Sequence, residues 1–391
     1  MNTKRCKLFR LYVITIALVF IIISLYAKNS NITTILSFSN SNLDIVKRAI
    51  EPSGIYEFLS IINQNFNPLH SRQKLSCDEN KWKSPLIKKY GVATVLTVDQ
   101  KGCGTFKTFQ KAVDAVPGNS PKPTLIIFDS GTYTEKVAVP KSKSNLIIQG
   151  QGYLNTFLSW NATASSSNGT VFSYSVAIYA PKFTAYNISF KNTAPPSNGD
   201  AAGGQAVALK VAGDQAAFYN CGFYGHQDTL LDFQGRHYFK NCYIEGTWDF
   251  ICGNGRSLYE NCTLNSVAKG RGAVAAQKRG SLQEKTGFSF VNCKLGGTGK
   301  ILLGRAWGEY STTVFIKTSM TSIVSPEGWD NWKDPSRNQK VFFGEYNCTG
   351  PGANPKGRVK FAKQLSAADA KPYMDISYID GNDWLPKDVN T

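Results

Sequence analysis

The sequence predicts an all-β parallel solenoid, and three observations carry that prediction. A short phrase, an aromatic residue followed closely by Asn-Cys and then a large residue, recurs as FYNCGF, YFKNCYI, LYENCTL and FSFVNCKL, with asparagines at 220, 241, 261 and 292. Spacings of 21, 20 and 31 residues suit successive coils of one spiral, the last lengthened by a loop. The segments around the phrase alternate in twos and are too short for helical hairpins. AYNISF at Asn187 and TVFIKTS near Lys317 read as further rungs. Residues of equal phase in such a spiral stack at about 4.7 to 4.9 Å, so the repeated Asn and Cys form ladders.

Reading from the N-terminus, residues 11 to 27 are a 17-residue apolar run behind Lys4, Arg5, Lys7 and Arg10. This is the pattern of a secretory signal cleaved after Ala27, or of an uncleaved signal anchor, and no later segment is long and apolar enough to span a bilayer. Residues 28 to 90 are Asn/Ser-rich with one weakly amphipathic stretch and read as a linker or short pro-segment. The β-helical domain is expected over 91 to 391. It opens with VATVLTVDQ and a short N-terminal capping helix in TFKTFQKAVDAVP. There Phe106, Phe109, Ala112, Val113 and Val116 recur at helical spacing behind Thr105 as N-cap, and Pro117 stops the helix. TLIIFDSGTYTEKVAV, SNLIIQGQG and AIYAPKFTAYNISFKNT follow as strands punctuated by Gly, Asn and Pro.

Composition narrows the chemistry. With 42% hydrophobic and 18% charged residues, the 391-residue chain can bury a substantial core. Its net charge of +17, or +13 without the four leader cations, favours a polyanionic partner. The three histidines, His70, His226 and His237, argue against a multi-histidine metal centre, and no cofactor is expected. Outside the leader, which holds Cys6, eight cysteines remain, at 77, 103, 221, 242, 252, 262, 293 and 348, without the paired spacing of a zinc site. Cys221 and Cys242, one coil apart, are a disulfide candidate because stacked Cβ atoms approach the required distance of about 3.5 to 4.5 Å. The alternative for the ladder cysteines is small buried core residues. Six N-x-S/T sequons are present. Asn161 and Asn168, in polar NATASSSNGT, are the better glycan acceptors, whereas Asn187 and Asn261 fall on ladder positions that leave a glycan little room.

With the Asn ladder as ruler, Asp228 and Asp249 each lie eight residues beyond their asparagine and so share one phase on adjacent coils. Neighbouring carboxylates push their protonation equilibria apart, so that one stays protonated while the other is ionised. That suits one acid/base and one nucleophile. Turn aspartates capping loop amides are the plainer alternative.

The surroundings of these acids decide between the two. The chain resembles the plant pectin methylesterases at GTYTEKV (Gly131, Tyr133, Glu135), QAVAL (Gln205 to Leu209), QDTL (Gln227 to Leu230), the G-T-x-D-F-I-x-G frame (Gly246 to Gly253) and LGR-x-W (Leu303 to Trp307). PEGWDNW, GEYNCTGPGA and YIDGNDWLP extend the likeness, which covers about residues 92 to 386. The resemblance implies a right-handed parallel β-helix and hydrolysis of the C6 methyl esters of cell-wall pectin to pectate and methanol. It assigns Asp249 as nucleophile, Asp228 as general acid and then base, and Gln205 and Gln227 as oxyanion donors. Arg305 orients the nucleophile, and Arg305, Trp307 and Gln205 meet substrate. Tyr133 and Glu135 are expected to secure the first coils, and His226 and His237 to be structural. The enzyme is expected to be secreted to the cell wall and monomeric. Its partners would be pectin and a separate proteinaceous inhibitor, because 28 to 90 cannot hold a four-helix inhibitor-like pro-domain.

Four positions depart from the family pattern. Trp248 replaces a smaller aliphatic residue, Cys252 a Phe, Leu231 an aromatic and Ala306 a proline. The Trp248 ring could narrow the cleft, serve as a sugar platform or point into the core. The rival functions are a polygalacturonase or pectate lyase, for which no G-H-G phrase or calcium-binding acid cluster is found, and a non-catalytic wall-binding protein blocked by Trp248. A nucleic-acid partner has no recognition motif to support it.

Overall fold

Asparagine turns the corners of the coils. Asn187, Asn220, Asn241, Asn261, Asn292 and Asn347 all adopt φ between 51° and 56°, and Lys317 takes the same place at 50°. This left-handed region is closed to most side chains and is visited by Asn at small cost, which is why the phrase repeats with Asn at that point. The computed structural model describes residues 77–196 and 202–387; the predicted leader, the first part of the linker and the sequon at Asn31 lie outside the described residues. Two parallel sheets carry the spiral. The first has eleven strands, running from Thr94–Val98 to Ala362–Gln364. The second has fourteen strands and covers two faces, because Thr263–Gln277 rounds a corner unbroken, with a register shift between Val267 and Arg271. The predicted parallel β-helix is the observed fold. Among the described residues, no helix is long and apolar enough to cross a membrane.

At five consecutive corners, from Asn220 to Lys317, the residue two places before is aromatic, faces inward and stacks on its counterpart in the next coil. Phe218, Phe239, Tyr259, Phe290 and Phe315 stand in strict register, with ring centroids 4.6 to 4.8 Å apart. That is the strand spacing itself, so one column of rings satisfies the backbone ladder and the core together. Truncating a ring in mid-column, Phe239→Ala, opens a cavity that the neighbouring rungs cannot close. The expected loss is about 3 to 5 kcal/mol in reversible denaturant unfolding.

The residue after each corner also points inward, and here the structure corrects the disulfide expected between Cys221 and Cys242. Both are free, as are Cys252, Cys262, Cys293 and Cys348. In-register parallel strands hold equal-phase Cβ atoms near the strand spacing of about 4.8 Å, beyond the mean of about 3.8 Å that a disulfide needs. Their thiols lie instead on backbone carbonyls, Cys221 Sγ on that of Tyr219 at 3.4 Å and Cys242 Sγ on that of Phe218 at 3.5 Å. The disulfide of the described residues joins Cys77 to Cys103.

That bond ties the segment before residue 91 to the first coil. Within this segment Leu86–Tyr90 forms a short helix ending at Gly91, whose φ of 57° stops it, and Leu86 packs on Leu125, Ile127 and Ile147. The predicted capping helix is Phe109–Ala115, begun by Thr108 rather than Thr105. Thr105 is engaged elsewhere: its amide donates to Thr97 Oγ1 at 2.8 Å, closing a small loop that delays the helix. Glu135 accepts from the amides of Phe109 and Gln110 at 2.7 and 3.0 Å, and Tyr133 donates to Val98 O at 2.9 Å. Both residues therefore secure the first coils, as expected. At the other end, Ile376, Tyr378, Ile379 and Leu385 pack against Tyr219, Tyr238, Leu258, Val314 and Ile316 on the outer face of the eleven-stranded sheet.

Candidate active site

The site grows from one face of the second sheet, where Leu209–Val211, Leu230–Asp232, Ile251–Gly253 and the last parts of Thr263–Gln277 and Lys294–Arg305 lie side by side. Leu230 pairs with Ile251, so Asp228 and Asp249, each two residues earlier, occupy the same phase on neighbouring coils, and the Asp228 amide donates to Trp248 O at 3.1 Å. Both acids are in the left-handed region, at φ of 60° and 47°. Backbone of that kind typically costs about 1 to 3 kcal/mol and collects at functional sites. Both lie in the turn that immediately precedes a strand of this face.

Arg305 reaches Asp249 from two coils away. It pairs with Ala276, which pairs with Cys252, three residues beyond Asp249. Its guanidinium returns along the face to fork onto Asp249, Nε donating to Oδ1 at 2.9 Å and Nη2 to Oδ2. Side-chain exposures of 11% and 6% make this a desolvated, bidentate pair. The faces of the guanidinium are covered as well: its central carbon lies 4.9 Å from the Trp248 ring and 4.3 Å from the Trp332 ring. Trp248 thus lies on the arginine, and its buried Nε1 has no hydrogen-bond partner among the described residues.

Leu231 and Cys252, two of the four departures from the family pattern, pair directly with each other and form the cleft floor with Val207 and Ala276. Tyr174, Phe233, Trp307 and Trp332 pack around that floor, and Lys278 Nζ sits 4.6 Å from the Trp307 ring. Burial holds the Cys252 thiol well above its ordinary range, and the neighbouring carboxyl groups of Asp228, Asp249 and Asp232 push in the same direction. It therefore remains an S–H beside the carboxylates. Gln227 is buried at 2% exposure immediately before Asp228. Gln205 accepts from the Gly203 amide through Oε1 at 2.9 Å, which commits its oxygen and leaves its amide N–H groups to donate.

His237 is fully buried between Asp232 Oδ1 at 2.5 Å and Gly213 O at 3.0 Å, and Tyr259 donates to the other Asp232 oxygen at 2.6 Å. Desolvation lowers the pKa of His226, opposed by the charge of Glu245. Among the described residues no group of three or more His, Cys, Asp or Glu could hold a metal. Asn161 and Asn168 are exposed. Asn261 is exposed too, because the ladder asparagines turn outward at their corners, so its ladder position is no steric bar to a glycan.

Sequence reading missed Trp332, Phe233, Tyr174 and Lys210. Trp332 sits in the quoted PEGWDNW phrase, but its reach to Arg305 depends on a left-handed turn at Trp332 and Lys333, with φ of 61° and 58°. Lys210 shares the phase of Leu231 and is 5% exposed, and desolvation lowers its pKa. A lone Lys within an apolar strand phrase carried no local sign of either.

The family model for Pectinesterase matches residues 95–382. The chain is 46% identical over 302 residues to Pectinesterase QRT1 of Arabidopsis thaliana, covering 75% of this chain and 79% of that protein. It is similar in structure to a pectin methylesterase from carrot, with a TM-score of 0.70 and 34% identity over 74% of this chain and 94% of the other. A pectin methylesterase solved in complex with a hexasaccharide matches at a TM-score of 0.64 and 27% identity, over 75% of this chain and 98% of that one.

Proposed function

The chain belongs to the pectinesterase family and hydrolyses the methyl esters of pectin, and on that premise we propose how its side chains divide the work. Asp249, ionised and held by the Arg305 fork, attacks the C6 carbonyl carbon of a methylated galacturonate. The carbonyl π electrons move to oxygen, and the amide N–H groups of Gln205 and Gln227 stabilise the oxyanion. Protonated Asp228 gives its proton to the methoxy oxygen as the C–O bond breaks, so that methanol leaves and an acyl-enzyme anhydride remains. Asp228 then takes a proton from water as the water attacks that anhydride. Asp249 leaves as a carboxylate, the uronate is released as its acid, which ionises in solution, and Asp228 is again protonated. Trp307, with Trp332 and Phe233, offers flat apolar surface to the sugar rings.

The observation that carries this reading is the bidentate pairing of Arg305 with Asp249, while Asp228 stands at equal phase one coil away. An ester needs a weaker nucleophile than an amide does, so a carboxylate fixed in this way suffices. Methanol release from highly methylated pectin without chain shortening is the expected result. Shortened or unsaturated oligosaccharides would instead place the enzyme with the glycosidases or lyases that share this architecture. We further read the leader as directing the chain through the secretory route to the cell wall, with glycans at Asn161 and Asn168. In the wall the enzyme acts as a monomer open to a proteinaceous inhibitor.

Trp248 gets a role in this scheme as a positioning residue. A desolvated cation–π contact is worth up to about 2 kcal/mol, so Trp248→Val should lower kcat/KM about tenfold. The acid limb of the pH profile should move upward as Arg305 loosens from Asp249, and Trp248→Phe should recover most of the loss. An unchanged or faster Trp248→Val enzyme would show that the ring merely narrows the cleft.

A further inference from the structure

A cavity of about 400 Å³, which neither of the two carboxylates lines, has Arg256, Arg279, Lys285, Thr312, Tyr373 and Tyr378 among its walls. It lies against strands Arg256–Glu260 and Thr312–Ile316 of the eleven-stranded sheet, beside the C-terminal segment that covers that sheet and the loop that follows Gln277. That volume is within the range of small-ligand sites.

Its charge is one-sided. None of the residues that line it is acidic. Arg256 pairs with Asp380 at 2.9 Å, but that carboxylate is shared with Arg236 at 3.3 Å. Arg279 spends its donors on neutral acceptors only: Ser281 O at 3.0 Å, Thr312 Oγ1 at 3.1 Å and Leu282 O at 2.9 Å. Lys285 is exposed and has no ion-pair partner among the described residues. The nearby acid of the same loop, Glu284, is turned to Asn254 Nδ2 at 2.7 Å and the Gly280 amide at 3.3 Å. Beside these cations stand two aromatic rings, Tyr373 and Tyr378, with centroids 5.1 Å apart at 48°, and the hydroxyls of Ser377 and Thr286.

A ligand that satisfies all of this carries a carboxylate for the cations, a flat apolar face for the rings and hydroxyls for the rim. That is the description of a uronate sugar. We propose that this cavity is a second carbohydrate site, an exosite for free galacturonate residues in stretches of pectin that have already lost their methyl groups. The proposal rests on the pectinesterase reading for the identity of its ligand. Esters carry no charge, so the exosite would hold product stretches and leave methylated ones to the cleft. Retention on the product would keep the enzyme near the boundary between demethylated and methylated stretches.

The probes are a fully demethylated galacturonate oligomer, its fully methylated counterpart and inorganic phosphate. With the full chain, hydrogen–deuterium exchange should show protection at 279–286 and 371–379 on adding the demethylated oligomer. The methylated oligomer should give no protection there. Lys285→Glu reverses an exposed charge that holds nothing in place, whereas Arg279 fixes its loop, so the lysine is the first variant and Tyr373→Ala the second. Each should weaken that protection, with affinity for the demethylated oligomer falling about tenfold, and leave kcat/KM on the methylated oligomer unchanged. Unaltered affinity in both variants overturns the proposal. So does phosphate giving equal protection at equal concentration, since the rings would then contribute nothing. If methanol release fails in the wild type while the two segments are still protected, the activity is wrong and the uronate site stands.

Discussion

Asp249→Asn releases methanol at about 10⁴-fold or more below the wild-type rate, because a neutral amide cannot displace methoxide and loss of a nucleophile is the most costly single change in such sites. Asparagine is the informative replacement. It keeps the volume of the side chain, and it tolerates the left-handed backbone that Asp249 adopts at φ 47°. Asp249→Ala would confound the result. It takes from the Arg305 guanidinium, only 11% exposed, the carboxylate on which it forks, and breaking a buried pair in that way costs about 3 to 5 kcal/mol of stability. An Asn variant that melts near wild type and retains more than about a hundredth of the activity would assign the attack to another group. The general acid behaves differently. Asp228→Asn should fall by only about 10² to 10⁴, the usual range for acid–base catalysis, and the loss should shrink on esters with more acidic leaving alcohols.

The fold was largely legible in the sequence because the coil repeat has a local cause. Each corner needs a residue at positive φ, which Asn commonly supplies, and at the corners from Asn220 to Asn292 the aromatic two places before and the cysteine after are then forced inward. Lys317 and Asn347 take the same corner, the former without the signature. The errors arise where distance rather than pattern decides. Cys221 and Cys242 have the right phase for a disulfide, but strand spacing holds them too far apart. Thr105 has the chemistry of an N-cap, but the loop closed on Thr97 uses it, and Thr108 caps the helix instead. Trp248 is the plainest case. Its three sequence readings were core, wall or sugar platform, and the observed contact with Arg305 depends on an arginine 57 residues later and a second tryptophan at 332. The exosite was invisible for the same reason, since its walls come from five separate stretches between 256 and 378, and the family phrase that begins at Tyr378 gives no sign of the cations it joins.

Arg305 is the second large lever on the rate. Removing it, as Arg305→Ala, should cost about 10³-fold in kcat/KM at neutral pH, since one buried charge-assisted fork is worth several kcal/mol to the group it holds. The sign of the pH effect follows from what the guanidinium does to Asp249. An adjacent positive charge favours the ionised carboxylate, so its loss raises the proton affinity of Asp249. Attack requires the ionised form, so activity in the variant fails at a higher pH as the solution is acidified. Toward alkaline pH the deficit should narrow to the part due to poor aim. Arg305→Lys separates the two contributions. An ammonium restores charge but cannot present two parallel donors to both carboxylate oxygens, nor lie flat between the rings of Trp248 and Trp332. The acid limb should therefore return most of the way while the plateau stays about ten- to a hundredfold low. An acid limb in Arg305→Ala that coincides with wild type would mean that the arginine only braces the cleft and that Asp249 owes its ionisation to other groups.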